Sequence, residues 1–220
     1  MIVEVWSDVV CPWCYIGKRR FETALAQYEA SSGEKVEIQY MPFMLDPTAP
    51  SEAEPVRVTY EKKFGGPAAA DKVLNTVTTE AAGEGLDFRM DIALRSNTMS
   101  AHRLLVLGQQ SGRQAELKER LLSAYFTEGA DIGDHETLVG LAQEVGLDAE
   151  VARGWLNGEQ GTDEVGESLK FAAANGLASV PTYVFDRRVA VPGAQPAEVF
   201  ARVLKRVAET DGPAQLYPPE

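Results

Sequence analysis

The chain has two cysteines, and they stand three places apart in Cys11-Pro12-Trp13-Cys14, directly between an apolar segment and a helical one. Val3 and Val5, followed by Val9-Val10, read as a short buried strand ending just before Cys11. Pro12 suits the first turn of a helix, where its missing N–H costs nothing and its φ is already near helical. Phe21, Ala24, Leu25 and Tyr28 then fall at i, i+3, i+4 and i+7 on one face of that helix. Cys11 is therefore expected at a helix N-terminus, where bare backbone N–H groups and the positive end of the helix dipole stabilise a thiolate. Cys14, one turn deeper, is expected to be the less exposed of the two. That asymmetry supplies the two roles of disulfide exchange: Cys11 forms the mixed disulfide and Cys14 resolves it.

Other uses of the pair fit less well. A structural disulfide closing so short a loop would constrain the unfolded chain little. Structural zinc wants four thiolate or imidazole ligands, and only His102 and His135 accompany the cysteines, neither in a paired spacing. Neither a metal nor an organic cofactor is expected. Thirty-three acidic against twenty-one basic residues give a net charge of −12, which repels phosphate backbones and anionic lipid. Nucleic acid and membrane are not expected partners; a homodimer is allowed. The opening Met1-Ile2-Val3-Glu4-Val5-Trp6-Ser7-Asp8 lacks a basic stretch and holds acids, unlike a signal peptide, and no uncharged apolar run approaches about eighteen residues. A cytoplasmic protein is the expectation.

Along the rest of the 220 residues, Val36, Ile38 and Tyr40 alternate with polar neighbours, giving a second strand that pairs with the first through a right-handed βαβ unit. Ser51 with Glu54 makes a capping box, and two helices follow, joined at Gly65-Gly66-Pro67. Further helices are marked by Leu117, Leu121, Leu122 and Tyr125, by Leu138, Leu141, Ala142 and Val145, and by Val151 with Trp155. Val165, Leu169, Ala172 and Ala173 mark a helix returning to the sheet. Thr182 to Phe185 and Arg188 to Val191 read as a hairpin around Asp186-Arg187, without the favoured Asn-Gly. Val199, Phe200, Val203, Leu204 and Val207 give a final amphipathic helix, and 212–220 a loosely attached tail.

Cys11 to Gly17, Asn97-Thr98 with Ala101-His102-Arg103-Leu104, Tyr125 to Gly129, Val180-Pro181-Thr182 and Gly193 to Pro196 together resemble the FrnE-like branch of the DsbA family. The resemblance implies an α/β protein: a thioredoxin-like fold, here residues 1–45 and 160–220, with a large all-helical insertion over 46–159. It implies a thiol–disulfide oxidoreductase acting on protein or small-molecule thiols and disulfides. The related 2-hydroxychromene-2-carboxylate isomerases and kappa-class glutathione transferases usually carry serine at the first active-site position, so cysteine at both favours redox chemistry. The alternative is a thiol-dependent isomerase or transferase acting on a small aromatic or polyketide-like substrate, with a low-molecular-weight thiol bound near Cys11.

The resemblance also nominates residues that bind substrate or shape the site. Val180-Pro181 is implied to be a cis bond beside the cysteines, leaving the backbone before the proline to pair with an extended substrate. Pro12 and Trp13 lie between the cysteines, Trp13 offering a partly exposed apolar face. His102 and Asn97 are implied near the same cleft, although Asn97 and Thr98 also suit helix capping. Gln195 belongs to a loop shaping the surroundings of Pro181. Arg103 reads as pairing with a surface acid. Members of the wider superfamily often place a buried carboxylate six residues before the nucleophile; here that position is Val5. Glu4 and Asp8 point differently along the strand, and no proton acceptor is assigned. Trp13 stands where periplasmic DsbA proteins commonly carry histidine, implying a less oxidising couple.

Overall fold

A strand apolar on both faces needs cover on both, and the first strand receives it. In the computed structural model, which describes residues 1–50 and 52–210, β1 (Ile2–Ser7) is buried from Val3 onward. The capping role of Ser51 and the tail at 212–220 lie outside the described residues. The strand stops at Ser7, earlier than the valines at 9 and 10 suggest, and Asp8 to Val10 form a turn into α1 (Pro12–Ser32). That helix carries the chain back so that β2 (Glu37–Pro42) runs parallel to β1, with Val5 opposite Tyr40. This is the βαβ unit expected from the pattern.

A second, two-stranded sheet pairs β3 (Glu54–Pro55) with β4 (Leu94–Arg95). Between them lie α2 (Val56–Phe64) and α3 (Pro67–Gly83), separated by Gly65 and Gly66 at φ of +91° and +120°. Then come α4 (Met99–Gln110), α5 (Gln114–Glu128), α6 (His135–Glu144), α7 (Ala149–Asn157) and α8 (Thr162–Ala174). The chain re-enters the main sheet with β5 (Thr182–Phe185) and β6 (Val189–Pro192), and closes with α9 (Ala197–Glu209). The sheet order is β2-β1-β5-β6, with β5 antiparallel to β1. A mixed α/β fold with a small sheet and many helices is what the sequence leads one to expect. Among the described residues, no helix is long and apolar enough to cross a membrane.

The buried apolar residues fall into two clusters. One joins β1 and β5 to α1 and α9 through Val3, Val5, Phe21, Tyr183, Phe200 and Leu204. Its aromatic rings meet at 5.0 Å for Phe21 and Tyr183 and 4.5 Å for Tyr183 and Phe200. Burying each such ring contributes about 1.5–3 kcal/mol. The other unites Val9, Tyr15 and Ile16 with Leu104, Leu117, Leu121 and Leu138 of the intervening helices. Helix α1 thus serves both, its first turns in one and Phe21, Ala24 and Tyr28 in the other.

Of three local readings, one holds and two change in three dimensions. The β5–β6 hairpin does turn at Asp186-Arg187, at φ of +47° and +54°, although neither residue is glycine or asparagine. Asp186 Oδ1 accepts the Ile2 N–H at 2.7 Å and Arg187 Nε donates to Glu4 Oε1 at 2.7 Å, contacts that offset the left-handed backbone. On α7, Val151 is 55% exposed and the buried face is Ala152 with Leu156, because neighbouring helices pack one position further round. Arg103 meets no surface acid. It is buried and donates to the carbonyls of Trp155 at 2.7 Å and Gln160 at 2.8 Å, and also to Gly158, satisfying the end of α7.

Candidate active site

The turn after β1 and the start of α1 bring the cysteines to the edge between the two clusters. Cys11 is the N-cap of α1, at φ −88° and ψ 114°, with Pro12 as the first helical residue. Pro12 has no N–H and the Cys14 N–H donates back to the Cys11 carbonyl at 3.0 Å, so Cys11 caps the positive end of a 21-residue helix. The two sulfurs are not bonded to one another. Their exposures, 4% for Cys11 and 3% for Cys14, barely differ, so the expected contrast in accessibility is absent.

The contrast lies instead in what surrounds each sulfur. The Cys11 thiol donates to the Val180 carbonyl at 3.7 Å, and Val180-Pro181 is a cis bond, so the proline loop lies against the nucleophile position. Full burial pushes the Cys14 thiol well up, and Cys11 beside it adds to the effect; the Lys118 charge and the Asp8 backbone oppose it. Tyr60 of α2 is pushed up to about 12 by burial and by the proximity of Cys11. Trp13 is 36% exposed on the first turn, presenting an apolar ring beside the site.

The proline loop is fastened from behind. The Gly193 N–H donates to the Pro181 carbonyl at 2.7 Å, and Arg20 of α1 donates to the Ala194 carbonyl at 2.9 Å while also pairing with Glu80 of α3 and with Glu84, its C-cap. Gln195 donates to the Pro192 carbonyl at 2.8 Å, folding the loop on itself. Gly17 lets α1 approach: a Cβ there would lie 2.8 Å from Tyr183 Oη and 3.2 Å from the Ala194 Cα. Asn97 lies in the loop before α4, where Nδ2 donates to the Ala49 carbonyl at 3.1 Å and Oδ1 accepts the Met99 N–H at 2.9 Å. Those bonds describe a loop clasp and helix cap.

His102 is 1% exposed, and its Nε2 lies 3.1 Å from Asp8 Oδ1. Asp8, which strand alternation sets apart from the site, turns inward because the strand has already ended. Its carboxylate also accepts the N–H of Val9 and of Leu45, each at 2.8 Å. Burial opposes charge on Asp8, but the His102 contact, the Leu45 amide and the Lys118 charge outweigh it, holding the carboxyl below its ordinary value. Lys118 of α5 is 1% exposed, and its Nζ has no hydrogen-bond partner among the described residues; it lies 5.8 Å from the centre of the Tyr40 ring. One sign of it is legible in the sequence: Lys118, Leu121, Leu122 and Tyr125 are themselves at i, i+3, i+4 and i+7, so the lysine lies on the apolar stripe. Among the described residues, no group of three or more His, Cys, Asp or Glu side chains is placed to hold a metal.

A family model described as DSBA-like thioredoxin domain matches residues 2–205. The chain belongs to that DSBA-like family. A crystal structure of a probable DsbA oxidoreductase from Streptomyces coelicolor is similar at 38% identity and TM-score 0.90, covering 99% of this chain and 94% of that one. The YwbO protein of Bacillus subtilis is 29% identical over 203 residues, 92% of this chain and 94% of its own length. The cytosolic disulfide reductase DsbM of Pseudomonas aeruginosa shares the fold at 17% identity and TM-score 0.68, covering 96% of this chain and 100% of its own; its structure with GSH is also similar. The DSBA-like protein thus has the fold of DsbA-type thiol–disulfide oxidoreductases.

Proposed function

We propose that the protein is a thiol–disulfide oxidoreductase working through a Cys11–Cys14 dithiol/disulfide and a mixed disulfide on Cys11. The observation that carries the reading is the seat of Cys11: the N-cap of α1, with its sulfur 3.7 Å from the carbonyl before Pro181. In the reducing direction the Cys11 thiolate attacks one sulfur of a substrate disulfide, forming a Cys11–substrate bond and releasing the other sulfur as a thiolate. Cys14 then loses its proton and attacks Cys11 Sγ. The intramolecular disulfide forms, the second substrate sulfur leaves, and two electrons have passed from protein to substrate. Oxidation of a substrate dithiol is the same sequence reversed. Helix-end amides stabilise the anionic sulfur of Cys11 whenever it is the leaving or attacking group.

Trp13, Val180 and Pro181 border the sulfur that meets substrate, and the substrate class is protein or small-molecule thiols and disulfides. The DsbM structure with GSH favours a low-molecular-weight thiol among them. His102, Asn97 and Gln195 act in this reading by shaping the site through Asp8, the loop before α4 and the proline loop. The same reading divides the chain into a thioredoxin-like unit of 1–45 and 160–220 and a helical insertion of 46–159, in line with the two apolar clusters. Insulin reduction with a redox titration tests it, alongside mass spectrometry of Cys14→Ala incubated with a disulfide peptide. The expected results are turnover above that of a model dithiol and a peptide adduct on Cys11. Turnover no faster than the model dithiol, with no adduct, would overturn the proposal.

A further inference from the structure

Arg20 lies on α1 three residues after Gly17, and each nitrogen of its guanidinium has an acceptor of its own. Nη2 donates to Glu80 Oε2 at 2.7 Å, in the last turn of α3, and Nε to Glu84 Oε1 at 2.6 Å, at the C-cap of that helix. Nη1 donates to the Ala194 carbonyl at 2.9 Å, in the loop after β6. The side chain is 17% exposed, so the fork is held largely away from water. A planar fork with fixed donor directions sets three acceptors at fixed offsets from one another, which an ammonium cannot do. Two carboxylates are already enough to neutralise one cation. The third bond, to a neutral carbonyl, is the one that charge pairing leaves unexplained.

From Ala194 the contacts run without a gap to the nucleophile. Gly193 donates its N–H to the Pro181 carbonyl at 2.7 Å, extending the β5–β6 ladder one step past the pair Thr182 and Pro192. Val180, covalently joined to Pro181, holds its carbonyl 3.7 Å from Cys11 Sγ. Helix α1 closes the circuit from the other side: a Cβ on Gly17 would lie 3.2 Å from the Ala194 Cα, so the helix capped by Cys11 rests directly on the loop. A substrate joined to Cys11 through sulfur therefore passes beside the Val180 backbone, and the place of that backbone depends on Ala194. We propose that Arg20 is a positioning residue for substrate capture: by fixing the Ala194 carbonyl against the end of α3, it sets the Val180 backbone where a peptide entering the mixed disulfide can seat. The inference rests on the dithiol reading above. Within its substrate class it favours cysteines carried in a peptide chain, which have main-chain groups to offer Val180, over thiols that lack them. Arg20 itself touches neither substrate nor sulfur.

The test compares two oxidants that release the same coloured aromatic thiolate. One is the symmetrical aromatic disulfide; the other is the mixed disulfide of that thiol with a cysteine in the middle of a short extended peptide. The aromatic thiol, with the lower pKa, is the group that leaves. Both are mixed by stopped flow with the Cys14→Ala protein, so that each release reports capture by Cys11, and release is followed against oxidant concentration. Adding Arg20→Met is expected to raise the half-saturating concentration of the peptide oxidant about tenfold, the size of one misplaced main-chain hydrogen bond, with a much smaller fall in the plateau rate. The loss on the symmetrical disulfide is expected to be several-fold smaller. Arg20→Lys keeps a cation between Glu80 and Glu84, so its thermal midpoint is expected to stay closer to the parent while the peptide preference is lost alike. It also stands in if the methionine variant does not fold. Full peptide preference in either folded variant overturns the proposal, as does an equal loss on both oxidants, which would mark a structural effect. A parent protein that takes the two oxidants alike overturns it too and leaves the dithiol reading standing. If the parent releases thiolate no faster than the same protein with Cys11→Ala, the dithiol reading itself fails, an outcome distinct from failure at Arg20 alone.

Discussion

Replacing Lys118 by methionine measures what the buried ammonium costs the folded state. Burial lowers its pKa from 10.5 to about 8, and at ~1.4 kcal/mol per tenfold change this corresponds to about 3 kcal/mol. Below about pH 8 the lysine is protonated in both folded and unfolded chains, so the folded state bears the whole cost. Between about 8 and 10.5 the folded protein has released a proton that the unfolded chain retains, and stability therefore rises with pH through that window. Above it the group is neutral in both states and the cost vanishes. Methionine has similar length and no charge, so Lys118→Met is expected to be the more stable protein by about 2–3 kcal/mol near pH 7. Its advantage should shrink as the pH is raised toward about 10. Urea unfolding of both reduced proteins at a series of pH values reads the difference directly, since titrations common to the two cancel. A variant less stable than wild type near neutrality, or a constant gap across the window, would refute the reasoning and point to a stabilising contact for Nζ.

Asp8→Asn should destabilise by about 2–4 kcal/mol, because an amide nitrogen would face donors that now meet carboxylate oxygens. Since the Asp8 carboxyl is held below its ordinary value, its contribution is present above about pH 4 and is lost as pH falls below that; unfolding curves of the two proteins should approach one another in acid, and parallel curves would contradict this. Gly17→Ala should cost about 1–3 kcal/mol, since its Cβ would lie 2.8 Å from Tyr183 Oη and press on Ala194 behind the proline loop; an unchanged thermal midpoint would show that the loop yields freely.

Much of the architecture could be read locally because the local signals agree with the tertiary outcome. Pro12, the apolar face through Phe21, Ala24 and Tyr28, and the strand before them point to one helix start, and Cys11 is its cap. Helix α4 carries no such rhythm: every residue from Ala101 to Gly108 is buried, so its apolar and polar positions do not alternate around the axis. Asp186-Arg187 carries a turn that its residue types disfavour, held by Ile2 and Glu4 far away in sequence. At the site, the cysteines are legible from their residue type and spacing, and Pro181 from the resemblance to the DsbA family. Asp8 was hidden by treating it as part of a strand that ends at Ser7, and Lys118 by its neighbours Glu116, Glu119 and Arg120, which give the stretch the look of a solvated face. The packing of α5 across β2 bears out what the spacing of Lys118, Leu121, Leu122 and Tyr125 suggests, that one charge of that run points inward.

Because Tyr15 and Ile16 are rooted among the helices while Phe21 and Ala24 are rooted under the sheet, one rod is shared by both halves of the molecule. The reactive end of that rod has no floor of its own. An attempt to exchange the helices for those of a distant relative, leaving the sheet untouched, would have to rebuild the socket for those two side chains or leave the cysteines standing on nothing.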